Sequence, residues 1–165
     1  MQNDLRSIMR HFATGVCIVT TYAEQSGERR HDAVTINSFT SISLEPPLVS
    51  LCLRVGSRFL ADMLRSGVFA VSILAAGGEQ LARSLARDRD TRAPVVRSLA
   101  ARPGRVTGAL VLDGAGWLEC AVRDHLTIGD HVLVIGTVLS AAADDNQTPL
   151  IFLRGGFHTV GGTRP

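Results

Sequence analysis

Seven runs of apolar and β-branched residues, each stopped by glycine, proline or a polar cluster, constrain the fold of this chain more than anything else in it. Residues 16–22, 31–43, 48–54, 68–74, 116–126, 131–143 and 150–154 read as strands, with a shorter candidate at 157–160. The polar stretch 24–30 around Gly27 makes the first two a hairpin, Pro46-Pro47 stops the second, and Gly129-Asp130 and the polar stretch 144–148 punctuate the last ones. Helical spacing is confined to short segments. Leu5, Ile8, Met9 and Phe12, after the capping residues Asn3 and Asp4, predict an amphipathic helix over 4–12 lying against the sheet. Ser57 caps a helix carrying Phe59, Leu60, Met63 and Leu64 that Gly67 ends, and Gly77-Gly78 opens another with Leu81 and Leu85 on one face. Residues 83–105 are rich in arginine, carry Pro94 and Pro103, and are expected to be partly irregular and mobile. With no repeat and no linker, 165 residues make one domain, 1–165, mainly β. A closed antiparallel barrel with two or three peripheral helices is the expected architecture, since closure removes exposed sheet edges.

Composition narrows the chemistry. A chain that is 45% hydrophobic and 19% charged is a globule with a large core, and a net charge of +2 argues for neither nucleic acid nor an anionic membrane as partner. All 17 basic residues are arginine, so every mechanism that needs an amine is excluded, and anions must be held by guanidinium, hydroxyl or backbone N–H groups. Cys17, Cys52 and Cys120 are odd in number and set in apolar runs, which reads as buried reduced thiols. His11, His31, His125 and His158 show no metal-ligand spacing, so no metal site is expected. With neither a signal-like N-terminal pattern nor an apolar stretch near the ~20 residues a bilayer demands, the expectation is a soluble, cytoplasmic protein.

Between residues 31 and 53, Thr35, Asn37, Ser38, Thr40, Ser41 and Ser43 lie between two apolar runs. Small hydroxyl and amide groups at a strand end suit a planar, phosphorylated ligand, although the same alternation also serves a half-solvated strand. The chain resembles the flavin reductase-like family, the FMN-binding split barrels that supply reduced flavin to two-component monooxygenases. The resemblance rests on Phe12-Ala13-Thr14-Gly15-Val16, Val19-Thr20-Thr21, Thr35-x-Asn37-Ser38-Phe39-x-Ser41-x-Ser43-x-x-Pro46-Pro47-Leu48, Gly67-x-Phe69-Ala70-Val71, Leu118-Glu119-Cys120, Gly129-Asp130-His131, Gly136-x-Val138 and Pro149-Leu150. It implies an antiparallel split barrel, a homodimer with flavin at the subunit interface, and reduction of FMN or FAD by NADH, or NADPH as the lesser alternative. The reduced flavin would pass to a partner monooxygenase by diffusion.

The resemblance also assigns residues. Thr35, Ile36, Asn37 and Ser38 would meet the isoalloxazine and ribityl chain through backbone and hydroxyl groups, with Ser50, Leu51, Cys52 and Leu53 nearby. Ser57 at its helix N-terminus and the guanidinium of Arg87 would take phosphate, although Leu85 stands where the family carries an aromatic residue. His131 would position the nicotinamide, because hydride transfer needs its carbon held at ~3 to 3.5 Å rather than a protein acid or base. Arg154 and Phe157, in Arg154-Gly155-Gly156-Phe157, either reach NADH or only close the last hairpin. Asp32 departs from the family's small residue there and is expected to point into solvent. Glu119 is expected to pair with an arginine such as Arg123.

Overall fold

The computed structural model describes residues 2–161. In chain order the elements are α1 (Gln2–Met9), β1 (Thr14–Gly15), β2 (Cys17–Gln25), β3 (Glu28–Ile36), β4 (Thr40–Leu44), β5 (Pro47–Arg54), α2 (Arg58–Ser66), β6 (Val68–Ile73), α3 (Glu79–Leu85), α4 (Arg89–Arg97), β7 (Ala101–Pro103), β8 (Leu110–Leu112), β9 (Gly116–Ile128), β10 (His131–Ala143), β11 (Leu150–Leu153) and β12 (Gly156–Thr159). Seven strands form one antiparallel sheet in the order β3-β2-β6-β9-β10-β5-β4, while β1-β11-β12 and β7-β8 form two smaller ones. The seven strands read from the sequence thus make the main sheet and part of the three-stranded one.

The pairing order forces curvature. β3 and β4 are the outermost strands of the large sheet, yet only residues 37–39 join them. Seven flat strands would hold those edges about 29 Å apart, whereas four residue steps reach about 14 Å at most. The sheet therefore curls until its edges approach. The 31–43 run is accordingly not one strand: it breaks at residues 37–39, where the hydroxyl of Ser38 engages Cys52 of β5 instead of a ladder partner.

β2 is apolar on both faces because both are covered. Cys17 and Val19 point into the barrel with Leu51, Leu53, Phe59, Met63, Phe69 and Val134. Val16 and Ile18 face a second cluster with Ala82, Leu85, Val96, Leu112 and Leu150, under α3 and α4. Thr20 and Thr21, fully buried, give their hydroxyls to the carbonyls of Leu110 and Val68. α2 begins where Ser57 accepts from the Leu60 N–H and stops at Gly67, whose φ of 70° suits glycine.

Several expectations are corrected. Leu5, Ile8 and Phe12 do not lie against the sheet but are 64%, 65% and 64% exposed, and the capping side chains of Asn3 and Asp4 lie outside the described residues. Residues 83–105 carry more regular structure than expected, with irregular stretches only between the elements: Asp88 caps α4 by accepting from the Thr91 N–H at 3.0 Å, and β7 follows. Asp32 is buried, held by the guanidinium groups of Arg89 and Arg92. Arg89 also reaches Asp62 of α2, so one arginine ties β3, α2 and α4 together. Glu119 pairs with no arginine among the described residues; its carboxylate accepts from the Val106 N–H, the Thr107 N–H and the Thr107 hydroxyl. Cys17 and Cys120 are buried thiols pushed up to about 12 by burial, with the charge of Glu119 adding to the effect at Cys120. Cys52 is only half-buried, on the opposite pleat from Leu51 and Leu53.

Candidate active site

A cavity of about 560 Å³ opens where the end of β3 meets α3 and the β11-β12 hairpin. Thr35, Ile36 and Asn37 form one wall, Ala82, Arg83, Ala86 and Arg87 a second, and Val16, Phe152, Gly155 and Phe157 a third. Each wall is fixed by local chemistry. The Thr35 hydroxyl donates to the Ala82 carbonyl at 2.7 Å, which locks α3 onto β3. Arg154 and Gly155 have φ of 54° and 82°, the paired positive values of a two-residue hairpin turn, and this places Gly155 and Phe157 at the rim. Arg83 stacks on the Phe157 ring, 4.7 Å from its centroid, and Phe157 packs on Phe152.

The cavity is apolar across Val16, Ala82, Ala86, Phe152 and Phe157 and positive at Arg83 and Arg87, with no carboxylate among the described residues of its walls. Asp32, the nearest acidic residue along β3, is neutralised by two guanidinium groups. A flat apolar surface rimmed by amide, backbone and guanidinium donors fits an isoalloxazine with its phosphate, and the volume is in the range of cofactor sites.

The structure brings Thr35, Ile36, Asn37, Arg87 and Phe157 together on that cavity and leaves the other expected residues outside its walls. Ser38 is committed to Cys52, so the hydroxyls of Thr35 and Ser38 both brace backbone, and the backbone and Asn37 remain for a ligand. Leu51 and Leu53 are barrel core, and Ser50 is buried on the opposite pleat. Ser57 caps α2. Arg154 contributes the turn, its backbone N–H donating to the Arg10 carbonyl at 2.8 Å. His131 begins β10 opposite Arg54, with Nδ1 at 2.8 Å from Asp130 Oδ1. That hydrogen bond and the ring's charge hold the exposed Asp130 carboxyl below the ordinary range. Sequence reasoning missed Val16, Ala82, Arg83, Ala86 and Phe152. The spacing of Arg83 and Arg87, one helical turn apart, was the available signal for the second guanidinium.

The chain is similar to known proteins in sequence and in fold. The family model for the flavin reductase like domain matches residues 9–161. A probable flavin reductase of Rhizobium meliloti (strain 1021) is 36% identical over 155 residues, covering 94% of this chain but 48% of that protein, so the chain spans about half the length of this relative. The flavin reductase (NADH) of Kitasatospora aureofaciens is 35% identical over 90% of this chain and 76% of its own length. Among solved structures, BorF, the flavin reductase component of a bacterial two-component tryptophan halogenase, superposes with a TM-score of 0.86 at 33% identity, covering 99% of this chain and 100% of that one.

Proposed function

The chain belongs to the flavin reductase like family, and from that premise we propose that it catalyses reduction of FMN or FAD by NADH and supplies the reduced flavin to a partner monooxygenase. One observation carries the reading: the cavity in which an apolar wall at Phe152 and Phe157 stands beside Arg83 and Arg87, with no opposing carboxylate among the described residues. Bound there, an isoalloxazine supplies the hydride acceptor. The protein's part is to bind, orient and compensate charge. Val16, Ala82 and Ala86 exclude water from one face, the residues 35–37 offer amide and carbonyl groups to a pyrimidine edge, and the two guanidinium groups favour an anionic ligand.

The active form in this proposal is a homodimer. The exposed Leu5, Ile8, Met9 and Phe12 of the α1 region, with Leu126 and Ile128 at the far end of β9, are large apolar side chains that a second copy would cover. His131 lies outside the cavity of its own chain, so its assignment to the nicotinamide calls for the second copy to bring it there. Ser50, Cys52 and Ser57 stay in the proposal as residues flanking the same site. A cytoplasmic location belongs to the proposal too, supported by the finding that no described helix is long and apolar enough to cross a membrane.

Flavin retention tests the reading. A reductase that releases its product should lose flavin on dialysis and elute as a dimer in light scattering. A yellow protein that keeps flavin through dialysis points to a flavin-retaining oxidase or carrier instead, and a fully active monomer removes His131 from the site.

A further inference from the structure

The guanidinium of Arg92 is spent in two directions. Its Nε and Nη2 donate to the two carboxylate oxygens of Asp32 at 3.0 and 2.9 Å, while its Nη1 donates to the backbone carbonyl of Arg87 at 2.9 Å. Arg92 is 7% exposed and Asp32 is 4% exposed, so this fork is part of the core. Arg87 is the opposite, an exposed residue whose side chain lines the cavity and which pairs with no carboxylate among the described residues. Its backbone is fixed on both sides. On one, the Ala86 N–H closes α3 onto Ala82; on the other, Asp88 caps α4.

We propose that Arg92 is a positioning residue, anchored on Asp32, that holds Arg87 as the contact for the phosphate of a flavin nucleotide. The chain would then discriminate phosphorylated flavins from riboflavin. The inference rests on the flavin-binding reading above and deepens it. A mobile arginine loses rotamer entropy on gripping a phosphate, and a backbone fixed beforehand leaves less freedom to lose. Only a guanidinium serves at position 92. A lysine keeps the charge beside Asp32, but its ammonium cannot hold two carboxylate oxygens and a carbonyl in one planar fork.

The test is equilibrium titration of the full chain with FMN and with riboflavin, read by flavin fluorescence, for the wild type, Arg92→Lys, Arg87→Ala and the double variant. Arg92→Lys is expected to weaken FMN binding roughly fivefold to twentyfold and riboflavin by less than about twofold. Arg87→Ala should give the same selective loss, and the double variant should be no worse than Arg87→Ala, since both act through one contact. The FMN-to-riboflavin ratio is taken within each variant, so a loss of folded protein does not move it. Equal weakening of both ligands in Arg92→Lys, or additive losses in the double variant, would overturn the positioning role. A wild type that binds both flavins equally would overturn the phosphate contact alone, whereas one that binds neither would remove the flavin reading with it.

Discussion

The hydroxyl of Ser38 and the backbone of Cys52 satisfy each other completely: the hydroxyl donates to the Cys52 carbonyl at 3.2 Å and accepts from its N–H at 3.0 Å. This pair fixes the break between β3 and β4 onto β5, and so sets where the strand end presents Asn37 to the cavity. Ser38→Ala should therefore cost about 1–2 kcal/mol of stability in urea denaturation, the net worth of such hydrogen bonds. Ser38→Leu should add a raised KM for flavin. An unchanged denaturation midpoint in Ser38→Ala would show that the break holds itself.

Asp32 predicts a larger loss. Removing this buried carboxylate strips Arg92 of its carboxylate partner and leaves Arg89 with Asp62 alone, so Asp32→Ala should destabilise by about 3–5 kcal/mol. Chemical denaturation with an unchanged slope measures it. A loss under about 1 kcal/mol would mean that the arginines find solvent or other partners.

The arginines also explain what the sequence could not disclose. α4 turns Arg92 and Val96 inward, and Arg92 is buried because it meets Asp32, so the inner face of the helix is carried partly by charge. A search for apolar periodicity passes over such a helix, although Asp88 ahead of Thr91 was a readable cap. The glycine-bounded strands and the Ser57 and Gly67 caps were legible because period and turn chemistry are local, whereas the seven runs miss the short β1, β7 and β8 and merge β3 with β4. The break at residues 37–39 was not, since Ser38 bonds a strand remote in sequence. Of the residues that line the candidate cavity, Thr35 to Asn37 were named from the motif, Arg87 was named although the family's aromatic residue is missing beside it, and Phe157 was named with hairpin closure as its equal alternative. Val16, Ala82 and Phe152 are ordinary apolar residues whose place on the cavity only the packing reveals.

Glu119 carries a pH signature. Burial pushes its carboxyl up, but hydrogen bonds from Thr107 and Val106 outweigh that and hold it below the ordinary range. A carboxyl lowered on folding stabilises above its unfolded value of about 4.3, and that stability fades as pH falls through the folded value. Glu119→Gln should thus be about 1–2 kcal/mol less stable than the wild type at pH 7, with the gap narrowing below about pH 4. Thermal melts across that range check it. A gap constant with pH would show that shape rather than charge matters at this position.

His131→Ala should lower hydride transfer or raise the KM for NADH by roughly tenfold to a hundredfold, the loss expected of a positioning contact, and leave flavin affinity in place. Single-turnover reduction at saturating flavin separates the two effects. An unchanged rate and KM would reduce His131 to the first residue of β10.

Reduction of flavin by NADH is checked by following NADH oxidation with and without added FMN or FAD, using protein freed of bound flavin. A flavin reductase should show negligible oxidation without flavin and a rate that saturates with added FMN or FAD in the micromolar range, on the order of ordinary KM values. No NADH oxidation with either flavin, or oxidation indifferent to added flavin, would contradict it.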